Sequence, residues 1–145
     1  MLIREAHIND INELQCIRNA VTENRLSDPS VVPDSDYILF LTEKGKGWVC
    51  EINGRIGGFA IVDLHGRNIW ALFVLPGDEG RGIGKLLQET MLDWYFERTT
   101  ETVWLSTSPG TRAEKFYSKT GWKKAGKLKN GEIRFEMTYE QWQAV

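Results

Sequence analysis

The sequence is poor in the residues that build covalent or metal frameworks. Its 145 residues contain two cysteines, Cys16 and Cys50, and two histidines, His7 and His65. The cysteines have no CxxC spacing, which argues against a disulfide scaffold or a zinc ribbon. Their pattern places Cys16 on a helix and Cys50 in a strand, where buried free thiols are common. The histidines stand alone, so no metal is expected. Long apolar runs are missing as well: none approaches the roughly 18 residues of a membrane span. No basic-then-apolar signal pattern opens the chain. The expectation is a cytoplasmic protein with no membrane partner. Net charge is only −2, so the chain as a whole has no bias toward nucleic acid. With no repeat, low-complexity tract or internal linker, residues 1–145 read as one domain.

Charge is present but unevenly placed. Residues 1–80 hold 7 basic and 12 acidic side chains, residues 81–145 hold 11 and 8, so the second part is net positive by 3. That suits a polyanionic ligand, and equally a solvated surface. The change of sign falls on the most informative stretch, 72–85, which runs Leu-Phe-Val-Leu-Pro-Gly-Asp-Glu-Gly-Arg-Gly-Ile-Gly-Lys. It reads as an apolar strand, a turn and a glycine-rich entry into a helix. Gly80, Gly82 and Gly84 lack a Cβ and let the backbone approach an anion. The helix start leaves N–H groups unpaired and adds partial positive charge.

Elsewhere periodicity supplies the elements. Leu2–Ala6 is a short strand, and Asn9 or Asp10 caps a helix with Ile8, Ile11, Leu14, Ile17 and Val21 on one side. Thr22–Pro33 is polar and reads as a loop or broken helix. Asp34–Lys44 reads as a helix burying Tyr37, Ile38, Phe40 and Leu41 and stopped by Gly45. Trp48–Ile52, the Asn53-Gly54 turn and Arg55–Leu64 form a hairpin, followed by the apolar strand Ile69–Leu75. Gly82–Arg98 is a helix with Ile83, Leu86, Leu87, Met91, Trp94 and Tyr95 on one face. Thr102–Ser106 is a strand, and Ser108 or Thr111 starts a helix ended by Gly121; Thr111 with Glu114 fits a capping box and Pro109 tolerates a first-turn position. Trp122–Leu128 and Ile133–Tyr139 close the chain as a hairpin around Asn130-Gly131. The order β-α-α-β-β-β-α-β-α-β-β implies an α+β (mixed α/β) fold. Its single mixed sheet is mostly antiparallel, has helices on both faces, and holds one parallel right-handed unit over 69–106.

A nucleotide loop of Walker type needs a hydroxyl after Gly84-Lys85, where this chain has Leu86. A dinucleotide fingerprint follows the first strand of a parallel repeat, which this turn does not. The stretch Val74-Leu-Pro-Gly-Asp-Glu-Gly-Arg-Gly-Ile-Gly84 resembles the acyl-CoA-binding motif of the GNAT (GCN5-related) N-acetyltransferases, V-x-P-x-x-[RQ]-G-x-G-x-[GA]. Downstream, Ala113-Glu-Lys-Phe-Tyr-Ser-Lys-Thr-Gly-Trp122 is similar to the family's A-x-x-[FL]-Y-x-x-x-G-[FW] segment. The element order is also the family's, so the resemblance covers nearly the whole chain. Two departures stand out. Glu79 occupies a position usually Arg or Gln, and Gly110 stands where many members have Asn.

The resemblance implies a GNAT-like acyl-CoA N-acyltransferase fold that moves an acetyl group from acetyl-CoA, the co-substrate, to a primary amine. It assigns Gly80, Arg81, Gly82, Gly84 and Lys85 to the pyrophosphate. It assigns the backbone of Phe73 and Val74, freed by a bulge near the strand end, to the acyl carbonyl and pantetheine arm. Tyr117 falls at the family's tyrosine position and is the implied general acid, since a phenol with an unperturbed pKa of about 10 is protonated at neutral pH. On spacing alone it reads as a core tyrosine. Arg112 and Lys115 head a basic run with Lys119, Lys123, Lys124, Lys127 and Lys129, which is either a nucleotide contact or a solvated face. Glu51, Asp63, His65 and Glu132 are the side chains considered for a general base, beside a water chain. Trp70 is a candidate cleft wall, and Glu23, Asp28, Asp34 and Asp36 give the 22–37 segment an acidic bias. A non-catalytic acyl-CoA-binding or regulatory module and a decayed interaction domain remain alternatives. The acceptor amine and the oligomeric state stay open, with a homodimer compatible.

Overall fold

The computed structural model describes residues 1–21 and 32–144. Most of the loop expected over 22–33, with Glu23 and Asp28, lies outside the described residues. Elements follow the order β1 (Leu2–Glu5), α1 (Ile11–Ala20), α2 (Asp34–Leu39), β2 (Gly45–Ile52), β3 (Arg55–Asp63), β4 (Asn68–Val74), α3 (Ile83–Arg98), β5 (Val103–Thr107), α4 (Arg112–Lys119), β6 (Lys123–Lys127), β7 (Ile133–Met137) and α5 (Tyr139–Gln143). The strands form one sheet in the order β1-β2-β3-β4-β5-β7-β6, antiparallel throughout except for β4 against β5.

Period-2 alternation sorts the sheet into two cores. Trp48, Cys50, Ala60 and Val62 point to the face covered by α3, with Leu87, Met91 and Tyr95. Val49, Phe59 and Ile61 point to the face covered by α1 and α2, with Leu14, Ile17 and Tyr37. In β4 the alternation slips. Ile61 pairs with Ala71 and Val62 with Ile69, leaving Trp70 as an extra residue. That bulge puts Trp70 and Ala71 toward the same core, after which Leu72, Phe73 and Val74 alternate again. The bulge expected near the strand end is therefore four residues earlier than Val74.

Several local expectations change. Cys16 is exposed and Cys50 buried. Ile8, Ile38 and Leu86 are exposed, so each helix's buried side is narrower than its apolar spacing implies. Asp10 caps from inside the turn: its carboxylate accepts the His7 N–H at 2.8 Å and pairs with Arg4, which also reaches Glu51. The helix expected over Asp34–Lys44 is α2 plus a π-helical turn, Phe40–Lys44. Gly45 ends that turn as its C-cap, as expected, and also opens β2 in extended backbone, where a Cβ would sit 1.7 Å from the Val62 carbonyl oxygen. The tail left unassigned forms α5, capped reciprocally by Thr138 and Gln141. β6 is an exposed, lysine-rich edge strand, which blunts edge-to-edge pairing.

Gln88 ties α3 to the segment after α4. It is 2 % exposed and its Oε1 accepts the Trp122 indole N–H at 2.9 Å. Gln88→Leu should leave that buried N–H unpaired and lower stability by about 1–3 kcal/mol, read as a reduced urea midpoint with unchanged slope.

Candidate active site

β4 and β5 pair in parallel at Asn68–Trp104, and among the described residues no further register pair joins them. β4 stays paired to β3 on its other side, through Phe73–Phe59 and Val74–Gly58. The outer half of β4 therefore offers one backbone edge to a ligand, since strand N–H and C=O groups seek partners. The divergence of β5 supplies the free edge that was expected from a bulge.

A cavity of about 500 Å³ opens along this edge. Leu72, Phe73 and Val74 line it from β4. Asp78, Glu79, Gly80 and Gly82 line it from the loop, and Ile83, Gly84 and Lys85 from the first turn of α3. α4 contributes Arg112, Ala113, Lys115, Phe116, Tyr117 and Lys119, and the end of α1 contributes Val21. Phe73, Val74, Gly80, Gly82, Gly84, Lys85 and Tyr117 thus come together as the two motifs implied. Arg81 does not line the cavity; its guanidinium lies 3.6 Å from Asp78. None of Glu51, Asp63, His65 and Glu132 lines it. Glu51 pairs with Arg4, Asp63 accepts the Gly66 N–H, His65 is exposed in a turn, and Glu132 accepts from Ser106.

The loop is held from below. Leu75 N–H donates to Gly57 O at 2.9 Å, and Asp78 N–H to Leu75 O at 2.9 Å. Asp78, 3 % exposed, receives two hydrogen bonds from Arg55, at 2.6 and 2.9 Å. A Cβ at Gly57 would meet Asp78 Oδ2 at 3.1 Å, and one at Gly58 would meet Phe73 O at 2.9 Å and Ile83 Cγ2 at 3.0 Å. Sequence reasoning missed this support. Its signal was Gly57-Gly58 in mid-strand, the mark of a close backbone approach. The paired Arg55 guanidinium holds the Asp78 carboxyl below the usual carboxylate range. A depressed carboxyl stabilises the fold above its unfolded pKa of about 3.9, and that contribution is lost as pH falls through the folded value. Arg55→Gln should lower the urea midpoint at pH 7, and the difference from wild type should close in titrations below about pH 3.

Gly80 and Gly82 have φ of 81° and 80°, the left-handed region. Gly82 O accepts from Leu86 N–H at 3.1 Å, so the N–H groups just before it have no intrahelical acceptor. Glu79 reaches across to α4, where its Oε2 lies 2.5 Å from Arg112 Nε. The carboxylate at that position is a tie between loop and helix. Lys85, Arg112, Lys115 and Lys119 make the cavity wall basic, while Lys124 pairs with Glu114 outside it.

Tyr117 is 6 % exposed, packed among Phe116, Trp122 and Phe135. Thr111 caps its helix by accepting the Glu114 N–H, and Glu114 Oε1 accepts the Gly110 N–H at 2.7 Å. Burial alone pushes the phenol above its ordinary value. Tyr117 is one of the residues that line the cavity. A protonated phenol beside a basic, glycine-edged channel can donate to a departing anion.

A family model described as Acetyltransferase (GNAT) family matches residues 11–122. The chain belongs to the GNAT family. Solved structures agree on the GNAT fold, at identities that speak to fold alone. An N-acetyltransferase, PaiA, from Thermoplasma acidophilum in complex with coenzyme A superposes with a TM-score of 0.83 at 14 % identity, covering 95 % of this chain and 98 % of that one. A GNAT-family acetyltransferase from Staphylococcus aureus Mu50 gives 0.81 at 21 %, covering 95 % and 98 %. The ribosomal-protein-alanine N-acetyltransferase of Brucella melitensis gives 0.76 at 20 %, covering 95 % and 99 %. No curated protein matches the chain in sequence. Among the described residues of this GNAT chain, no helix is long and apolar enough to cross a membrane.

Proposed function

We propose that residues 1–145 form a single cytoplasmic N-acetyltransferase domain that moves the acetyl group of acetyl-CoA to a primary amine of a small molecule, peptide or protein. One observation carries the reading: a single cavity is lined by the glycine loop, by the open edge of β4 and by Tyr117. The N–H groups around Gly80, Gly82 and Gly84, with Lys85, take the pyrophosphate. Arg81 serves from the loop's outer side. The backbone at Phe73 and Val74 aligns the pantetheine arm and acyl carbonyl. The neutral amine attacks the thioester carbon and its C–N bond forms. The C–S bond breaks, the thiolate takes the Tyr117 proton, the proton shed by nitrogen passes to water, and the Tyr117 phenolate regains a proton from water. Positioning both reactants supplies much of the rate. The coenzyme A complex of the Thermoplasma acidophilum neighbour supports the choice of donor.

Thiol release from acetyl-CoA in the presence of an amine panel tests the reaction, and calorimetry with coenzyme A tests the site. Saturable binding with no acetylation would make the chain a non-catalytic acyl-CoA module instead. No binding at millimolar coenzyme A would remove both readings.

A further inference from the structure

Among the described residues, two carboxylates line the cavity, Asp78 and Glu79, against four cations, Lys85, Arg112, Lys115 and Lys119. The carboxylates differ in what holds them. Asp78 is buried and takes two hydrogen bonds from Arg55. Glu79 is one-third exposed and reaches over to the first residue of α4, where Arg112 Nε lies 2.5 Å from its Oε2. It directly precedes Gly80, so a negative charge stands in the stretch whose N–H groups take the anion in the reading above.

The loop does not need this tie for its shape. The Leu75 N–H is bonded to Gly57 O, the Asp78 N–H to Leu75 O, and Arg55 clamps the Asp78 carboxylate. The Glu79 and Arg112 side chains are 33 % and 64 % exposed, and a pair that open adds little to stability, because water already solvates both partners. Its consequence falls on the ligand. A guanidinium presents a planar fork of donors that matches two phosphate oxygens. With Nε engaged by Glu79, a diphosphate gains the whole Arg112 fork only by drawing it off the carboxylate. The Glu79 charge is then left beside the phosphates, and like charges repel. In the free protein the two side chains mask each other; with a diphosphate bound they no longer do.

We propose that Glu79 is an internal counter-anion that competes with the cofactor diphosphate for Arg112 and so sets how loosely acetyl-CoA and its product coenzyme A are held. The proposal rests on the acetyl-transfer reading above. A transferase must release coenzyme A at every turnover, and product release limits many enzymes, so a weakened diphosphate contact speeds the exit.

Calorimetry with coenzyme A on the full chain tests the competition. Glu79→Gln keeps the side chain's shape and removes its charge. It should tighten coenzyme A binding by about 5- to 10-fold, the combined size of one exposed charge pair and one solvent-screened repulsion. Glu79→Ala should shift affinity in the same direction, whereas a tie that served only the loop's shape would give a loss in both. Arg112→Gln should weaken binding by about 10-fold, as expected for one charge-assisted contact. In that background Glu79→Gln should gain only about 2- to 3-fold, because no guanidinium remains to compete for and the repulsion alone is relieved. Unchanged or weaker coenzyme A binding in Glu79→Gln overturns the proposal. An equal or larger gain in the Arg112→Gln background also overturns it, since the pair would then persist with the cofactor bound. Failure of the wild-type chain to bind coenzyme A at millimolar concentration overturns the acetyl-transfer reading itself.

Discussion

Tyr117→Phe is expected to lower kcat by about 100-fold while leaving coenzyme A affinity within a few-fold of wild type. The size is that of a general acid, which contributes roughly 10²–10⁴. Stability should change little, since the ring packing against Trp122 and Phe135 is kept. Two further readouts separate proton donation from mere positioning. An acetyl donor with a more acidic leaving thiol needs less protonation, so the defect should shrink with it. The phenol is pushed above its ordinary value by burial, so it stays protonated through neutral pH. Deprotonation of Tyr117 should therefore impose no fall in wild-type kcat below about pH 10, the unperturbed value. A Tyr117→Phe enzyme with unchanged kcat on the true acceptor removes the acid assignment.

What the sequence made legible is what local chemistry specifies. The strand–turn–helix at 72–85, the meander before it and the position of Tyr117 follow from periodicity, turn residues and two spaced motifs, and the sheet order agrees. The parts that stayed hidden are long-range. Asp78 reads as one more loop acid until Arg55, 23 positions earlier, folds under it. Glu79 looks hostile to a phosphate ligand until Arg112 is brought opposite. Arg18 looks like an ordinary surface residue of an amphipathic helix, and only the packing of Phe73, Trp70 and Tyr37 around it makes it a half-buried cation. The β4 edge shows the same limit in the backbone. Periodicity locates the strand, but the neighbour that leaves its edge open is β5, which sequence alone cannot splay. The general base was not legible for a related reason: Glu51, Asp63, His65 and Glu132 sit at strands or turns, and which of those face the cavity is set by long-range packing.

Gly82→Val and Gly84→Ala should part company, although both glycines belong to one motif. Gly82 caps α3 at φ 80°, and Gly84 lies inside the helix. Neither is forbidden a Cβ by crowding. At Gly82 no atom lies within 4 Å of the position, and at Gly84 the nearest is Phe116 at 3.5 Å, an ordinary contact. Backbone conformation decides the difference. A β-branched residue in the left-handed region is strained by about 1–3 kcal/mol, and the loop relieves the strain by turning its N–H groups away from the anion. Two charge-assisted hydrogen bonds lost at roughly 1.5–3 kcal/mol each, with tenfold per 1.4 kcal/mol, give a rise in coenzyme A dissociation constant of at least about 100-fold. Gly84→Ala should instead raise the melting temperature slightly, because alanine is favoured over glycine in a helix by about 0.5–1 kcal/mol. Its coenzyme A affinity should stay within a few-fold of wild type. Calorimetry on the two variants measures both outcomes directly. Equal loss in the two would mean that the alternate glycines act through space for the ligand, whereas loss at Gly82 alone ties binding to the left-handed turn that aims the first N–H groups of α3 into the cavity.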